Sequence, residues 1–421
     1  MNMIRHYLQN SIFKLIIILV SGFIISIIII SCDELMPTAP ESSEILNEPI
    51  EGLTPSQLAA HLHGDEEFGK IFGVEDGLGP IFVNISCENC HLSDGKGHPF
   101  IQLTRFGKMN SNGTFDPMLE YGGPQLQQRS ISGYPPEEIN SEATGISLLM
   151  PPAVTGLGLI EAVTDAAFLS LADPDDLNGD GISGVPNYVD PPDYFQPKPG
   201  FHIQNNGKYI GRFGRKAGSI TILQQVAQAY LQDIGITSDY LSEDLFNYMI
   251  GPGTGDNVPD PELSVSILKS VEFYIRTLKP PTRRNQNNSD VIEGENIFNQ
   301  INCSGCHVPA LVSGTSEIEA LSQKEFYPYT DMLLHDMGLE LDDYYTEGTA
   351  KTNEWRTTPL WGLGLGKNSQ GGMSFFLHDG RAKTIEEAII YHGGEASNSR
   401  NSYNNLSNAD KQKLLKFLES L

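Results

Sequence analysis

Two pentapeptides, CENCH at residues 87–91 and CSGCH at residues 303–307, hold four of the five cysteines in the chain. Each sets two thiols three positions apart, with a histidine directly after the second. Thiols at that spacing can add across the two vinyl groups of one haem, and the adjoining imidazole is then placed under the iron as an axial ligand. By composition, such a pentapeptide arises by chance on the order of once in a thousand chains of this size, and two far less often. A zinc site made of four cysteines usually brings its two C-x-x-C halves within about 15–20 residues. Here Cys87 and Cys303 are 303 − 87 = 216 positions apart, and zinc would leave both histidines unexplained. A thioredoxin-like redox dithiol would want a βαβ context, which is missing. The residues therefore point to two covalently bound haem c groups, on Cys87, Cys90 and His91 and on Cys303, Cys306 and His307.

The elements that must position these motifs can be partly read. Residues 1–32 look like a lipoprotein signal: Arg5 and Lys14 precede the apolar run LIIILVSGFIISIIII, which ends in IISC at Cys32, the expected lipidation site. An uncleaved transmembrane anchor is the alternative. Residues 33–52 are acidic and rich in Pro and Ser, a tether. At TPSQ a helix should begin, with Thr54 as N-cap, Pro55 at N1 and Gln57 closing a capping box. Leu58 and Leu62 would form its apolar face. KPPTRRNQNN, residues 279–288, has no apolar residue to bury and reads as a boundary. Phe82 and Phe298 each stand five positions before the first cysteine of a motif. The expected fold class is mainly α: two cytochrome c-like domains with long loops and insertions, an N-terminal haem domain at 53–285 and a C-terminal one at 286–421. The chain closes on a helix capped by Ser407, with Leu414, Leu415, Leu418 and Leu421 at helical spacing.

Net charge is −26. A field of that sign repels nucleic acid, so no nucleic-acid partner is expected.

The stretches EDGLGPIF, CENCHLSDGKG, MPPAVTGLGLIEAV, LADPDDLNGDGISG, GRFGRKA, PYTDMLLHDMG, EWRTTPLWGLG and FFLHDGRAKTIEEAIIYHGGEA resemble the bacterial di-haem oxidoreductases related to di-haem cytochrome c peroxidases, some of which carry the label thiol oxidoreductase. The resemblance spans most of residues 70–421. It implies a peroxide-reducing haem in the N-terminal module, supplied with electrons through a haem in the C-terminal one. A small redox protein or a quinol-linked donor would provide the electrons, and hydrogen peroxide would be the substrate. With the lipid anchor at Cys32, the protein would be exported and membrane-held, on the periplasmic or outer-membrane side. Two other classes stay open: a non-catalytic electron-transfer cytochrome, and an oxidase of a protein or small molecule.

Several further residues are candidates. Glu161 sits among apolar residues in GLGLIEAV, and a carboxyl in an apolar pocket could move the proton that peroxide cleavage requires. DLNGDGIS offers Asp176, Asn178 and Asp180 as side-chain oxygens and Ile182 as a carbonyl, a candidate Ca2+ loop; Asn187 replaces the closing Glu of an EF-hand. His61, His63 and His98 are candidates for the distal side of the first haem. Trp355 or Trp361 could lie between the haems, and His378 could bond a propionate. In KTIEEAIIYHGG, Thr384 and Glu387 form a capping box, and Ile385, Ala388, Ile389 and His392 share one face. Position alone leaves His392 equally open as an axial ligand or a buried histidine bonded to a carbonyl. The resemblance favours the ligand, because in the peroxidases this stretch supplies the distal ligand of the electron-accepting haem, often methionine. His335 and Met337 are the next candidates.

Overall fold

The computed structural model describes residues 41–252 and 255–421; Cys32 and the signal-like segment lie outside them. No helix among the described residues is long and apolar enough to cross a membrane. The described residues are 33% helical and 12% strand. The long loops accord with expectation; the small sheets depart from it.

The helices are α1 (Pro55–Gly69), α2 (Leu157–Glu161), α3 (Asp165–Leu169), α4 (Ile222–Ala229), α5 (Val265–Thr277), α6 (Ser289–Gln300), α7 (Gly366–Ser369), α8 (Ile385–Tyr391), α9 (Ser397–Asn404) and α10 (Asn408–Ser420). Helix α1 begins as expected: the Thr54 side chain accepts from the Gln57 amide, the Gln57 side chain returns to Thr54, and Pro55 holds N1. Its buried face differs from the one expected. Leu58 and Leu62 are exposed, while His61, Gly64 and Phe68 face inward. The reason is the partner, α5. A side chain at Gly64 would put its Cβ 2.2 Å from the Ser270 carbonyl, so only glycine lets the two helices approach this closely. Thr277 supplies a hydroxyl 2.8 Å from His61 Nδ1, so the buried imidazole is satisfied.

The same arrangement recurs around the second motif. Gly294 of α6 lies against α10, where a Cβ would come within 2.1 Å of the Lys413 carbonyl. Four residues after each glycine comes a phenylalanine whose ring lies near the motif histidine: Phe68 is 6.1 Å from His91 and Phe298 is 6.4 Å from His307, centre to centre. The counterpart of Phe298 is therefore Phe68. Phe82 instead pairs in a short strand, Ile81–Phe82 against Arg129–Ser130. The sequence spacing misleads because 87 − 68 = 19 positions separate Phe68 from Cys87, against 303 − 298 = 5 in the second case.

One apolar cluster gathers α1, α2, α4 and α5 and draws in Phe326, Met332 and Trp361 from beyond residue 300. A second gathers α6, α8 and α10 with Tyr329, Phe376 and Tyr403. Leu103–Met109 pairs antiparallel with Gly145–Leu149 and with Phe115–Asp116, and the sheet puts Leu103 and Phe115 against the first motif's cavity. Helix α4 continues as a π turn over Tyr230–Ile234, stopped by Gly235 at φ 75°, which brings Tyr230 and Asp233 to the same cavity.

Candidate haem-binding cavities

Cys87, Cys90 and His91 open onto a cavity of about 760 Å3, walled by Phe68, Val154, Ile160, Val226 and Ile275 among others. His91 Nδ1 lies 2.8 Å from the Pro152 carbonyl. A carbonyl can only accept, so Nδ1 carries the proton and Nε2 keeps its lone pair for a metal. Burial, opposed in part by that hydrogen bond, pulls the imidazole down to about 4, so it is neutral at pH 7. Burial also pushes Cys87 up to about 12 and Cys90 to about 11, far from the low-pKa setting of a redox dithiol. All four described cysteines are free. Among the described residues, no His/Cys/Asp/Glu cluster with metal-binding spacing includes them, which argues against zinc.

Cys303, Cys306 and His307 open onto a smaller cavity, about 210 Å3. His307 Nδ1 is 3.0 Å from the Tyr329 carbonyl, and burial lowers this imidazole to about 4 as well. The opposite wall is α8. Thr384 caps it through the Glu387 amide, although the Glu387 carboxylate bonds the Lys383 amide rather than Thr384, so only half of the expected box forms. Ile385, Ala388, Ile389 and His392 all line the cavity. His392, just past the last turn, has Nδ1 2.7 Å from the Ala388 carbonyl. Both readings of His392 thus meet in one geometry: the carbonyl takes one nitrogen and frees the other. The rings of His307 and His392 stand 6.5 Å apart, centre to centre. Two metal–imidazole bonds of about 2 Å each, plus the distance from each nitrogen to its ring centre, add to about that separation. His335 also lines this cavity, but Asp331 and Glu395 occupy both its nitrogens at 2.8 Å. Against the burial that would lower it, those bonds and the Cys306 sulfur push it up to about 12, so it has no lone pair to give. Met337 lines the cavity too.

Between the cavities runs a feature that spacing did not reveal. Lys96, Arg215, Arg356, Thr358 and Pro359 line both. Arg215 and Arg356 are buried and Lys96 is half-buried, and among the described residues none of the three forms an ion pair with a carboxylate. Burial, then Arg356, pulls Arg215 down to about 9; burial, then Arg215, pulls Lys96 to about 8. In the first cavity Arg105 Nε is buried without a partner. Uncompensated buried cations are costly, and the two propionates that every haem carries would neutralise them. The cavities therefore fit haem in ligands and charge.

Other candidates fall elsewhere. Glu161 does not line the first cavity. One carboxylate oxygen accepts from the Ile222 amide at 2.8 Å, capping α4, and the other lies 2.9 Å from Arg276 Nε, beside a separate cavity. The isolated carboxyl expected from GLGLIEAV is thus an ion-paired cap, because the loop before α4 and the end of α5 converge on it. His61, His63 and His98 do not line the first cavity, where His91 is the sole histidine among the described residues. In the proposed Ca2+ loop, Asp176 accepts from the Gly181 amide, Asn178 from Asp180 and Asp180 Oδ1 from Ile182. The Ile182 side chain is buried and forms part of the wall of the second cavity. Trp361 lines the first cavity and Trp355 the second; Trp355 stacks on His378 at 3.8 Å, and His378 Nε2 lies 3.0 Å from Asp343.

A search of curated proteins finds no match. A structure of Kuenenia stuttgartiensis hydrazine synthase pressurised with 20 bar xenon aligns over 92% of this chain and 94% of its own, at 12% identity and a TM-score of 0.36; a likeness that weak carries no argument. A family model described as "Di-haem oxidoreductase, putative peroxidase" matches residues 143–421, which include the second motif and Arg215 and Arg356 but neither the first motif nor Lys96. With about two thirds of its length matched, the chain belongs to this di-haem oxidoreductase family.

Proposed function

We propose that the protein reduces hydrogen peroxide at a haem held by Cys87, Cys90 and His91, with electrons passed from a second haem held by Cys303, Cys306, His307 and His392. The observation that carries this reading is the inequality of the cavities. The first offers one histidine and ample room, whereas in the second two imidazoles face each other. Haem iron with one protein ligand supplies oxygen–oxygen bond cleavage, while iron with two strong ligands mainly transfers electrons. The reaction consumes one peroxide, two electrons and two protons and yields two waters.

In this reading the chain's own groups divide the work. His91 and the apolar wall orient the first haem and exclude water from it. Lys96, Arg215 and Arg356 neutralise propionates and fill the space between the two groups. Proton movement falls to a carboxylate on the first cavity, and Glu347 is the one we assign. It lines the cavity and accepts from the Tyr345 hydroxyl at 2.9 Å. Gly218 leaves its other oxygen room that a Cβ, 2.1 Å away, would take. Asp233 also lines the cavity, but it lies close enough to Cys87 and Cys90 for its charge to act on both thiols.

The signal-like segment ending at Cys32 supports an exported lipoprotein on the periplasmic or outer-membrane side. The donor would be a small redox protein or a quinol-linked carrier.

The test is direct. Denatured protein should retain two c-type haems by its pyridine spectrum, and reduced protein should be reoxidised rapidly by peroxide. Carbon monoxide should bind one haem per chain. Haem extracted into acid acetone would end the covalent reading. Failure of carbon monoxide and peroxide to react with either haem would leave an electron-transfer cytochrome.

A further inference from the structure

Away from both cavities, Asp244, Asp256 and Glu262 each bring one carboxylate oxygen to within 4.8 Å of the others. The backbone forms the cluster by crossing itself. Thr237–Asp239 meets Leu263 through reciprocal backbone bonds, and the Gly77 turn packs against the Glu262 side chain. Each acid is held on one side and free on the other. Glu262 Oε2 accepts from the Thr237 amide at 2.6 Å and also from the Thr237 hydroxyl, leaving Oε1 without a partner. Asp256 Oδ1 accepts from the Val258 amide at 2.8 Å, leaving Oδ2 without one. Asp244 Oδ1 is likewise orphaned, and its Oδ2 lies where a Cβ on Gly255 would be 2.3 Å away.

Asp256 is 3% exposed, so its free oxygen cannot be turned out to water. A fourth acid, Asp260, shares the Thr237 hydroxyl at 2.5 Å. Among the described residues, no lysine or arginine pairs with any of the four. Buried unpaired oxygens on three oriented carboxylates are costly unless something positive sits among them.

We infer that Asp244, Asp256 and Glu262 bind a hard divalent cation, Ca2+, that pins the 237–244 and 255–263 segments together. The donor set is all oxygen, which excludes soft metals. It comes from irregular loop backbone, which suits the flexible coordination of Ca2+ better than the octahedron Mg2+ demands.

The test uses the full haem-loaded chain, stripped with EDTA and titrated with CaCl2 to about 10 mM, beyond the range of weak extracellular calcium modules. Wild-type protein should bind one equivalent by calorimetry and show a higher Tm. Asp256→Asn should weaken binding by at least about tenfold, since affinity follows ligand charge. It should also melt no lower than stripped wild type, because it removes an uncompensated charge. Asp180→Ala, in the separate 176–182 loop, should bind as wild type does. Stripped wild type giving neither heat nor a Tm shift would overturn the inference. So would an Asp256→Asn protein that keeps both, or an Asp180→Ala protein that loses both. None of these readouts depends on peroxide turnover.

Discussion

The rings of His307 and His392 lie 6.5 Å apart, centre to centre, on one cavity, each held through Nδ1 by a carbonyl of its own surroundings, Tyr329 in one case and Ala388 in the other. With iron between them, the oxidised second haem should be low-spin with bis-histidine magnetic resonance and without the near-infrared band of methionine ligation. His392→Ala should leave that haem attached but open to cyanide and carbon monoxide, so carbon monoxide should bind two haems per chain where wild type binds one. An unchanged spectrum would pass the role to Met337.

The parts legible in the sequence are those fixed by local spacing. The two C-x-x-C-H motifs, the Thr54 box and the inward face of α8 depend on residues within eight positions of one another, and each is found as expected. What spacing cannot show is which loop meets which. Glu161 looks isolated in the sequence because Arg276 lies 115 positions away and Ile222 lies 61. Arg356 and Arg215 become neighbours of both cavities through folding alone. The equivalence of Phe68 and Phe298 is present in the paired patterns GDEEF and GENIF, but the longer insertion before Cys87 hides it.

Glu347 and Glu161 should separate in mutagenesis. Glu347→Gln should slow reoxidation by peroxide roughly 10²-fold, the usual scale for losing a general acid–base group, with the melting temperature little changed. Glu161→Gln should leave that rate within about threefold. It should instead cost about 1 kcal/mol of stability, because Arg276 loses one of its two carboxylate partners and keeps Glu317. Stopped-flow reoxidation and thermal melts on both variants check this, and the reverse pattern would return the acid–base role to Glu161.

Glu137 should impose a pH dependence on stability. It is buried, it accepts from the Gln127 amide at 3.0 Å, and its other oxygen has no partner. Burial raises its carboxyl from 4.5 to about 7, opposed by the Gln127 bond. Between those values the folded chain holds a proton that the unfolded chain has released, so its contribution is fully present below pH 4.5 and is lost as pH rises through 7. Glu137→Gln, neutral at every pH, should match wild type near pH 4.5 and exceed it by roughly 1–3 kcal/mol at pH 8. Denaturant melts at the two pH values measure the difference; equal gaps at both would show that Glu137 does not titrate in this range.

Arg215 touches both cavities and has no carboxylate partner of its own, its Nε and Nη2 reaching only the Met150 carbonyl at 3.1 and 2.6 Å. A fixed cation near two irons favours the electron-richer state of each. Arg215→Gln keeps a donor for Met150 and removes the charge. At about 10 Å and an effective dielectric near 20, a unit charge is worth about 1.7 kcal/mol, which for one electron is on the order of 70 mV. Both haem potentials should therefore fall, by tens of millivolts each. Arg215→Lys, which keeps the charge, should leave both potentials close to their wild-type values. Spectroelectrochemical titration of the two variants resolves this. A shift confined to one haem would mean that Arg215 serves a single propionate, and no shift at all would remove it from the region between the irons.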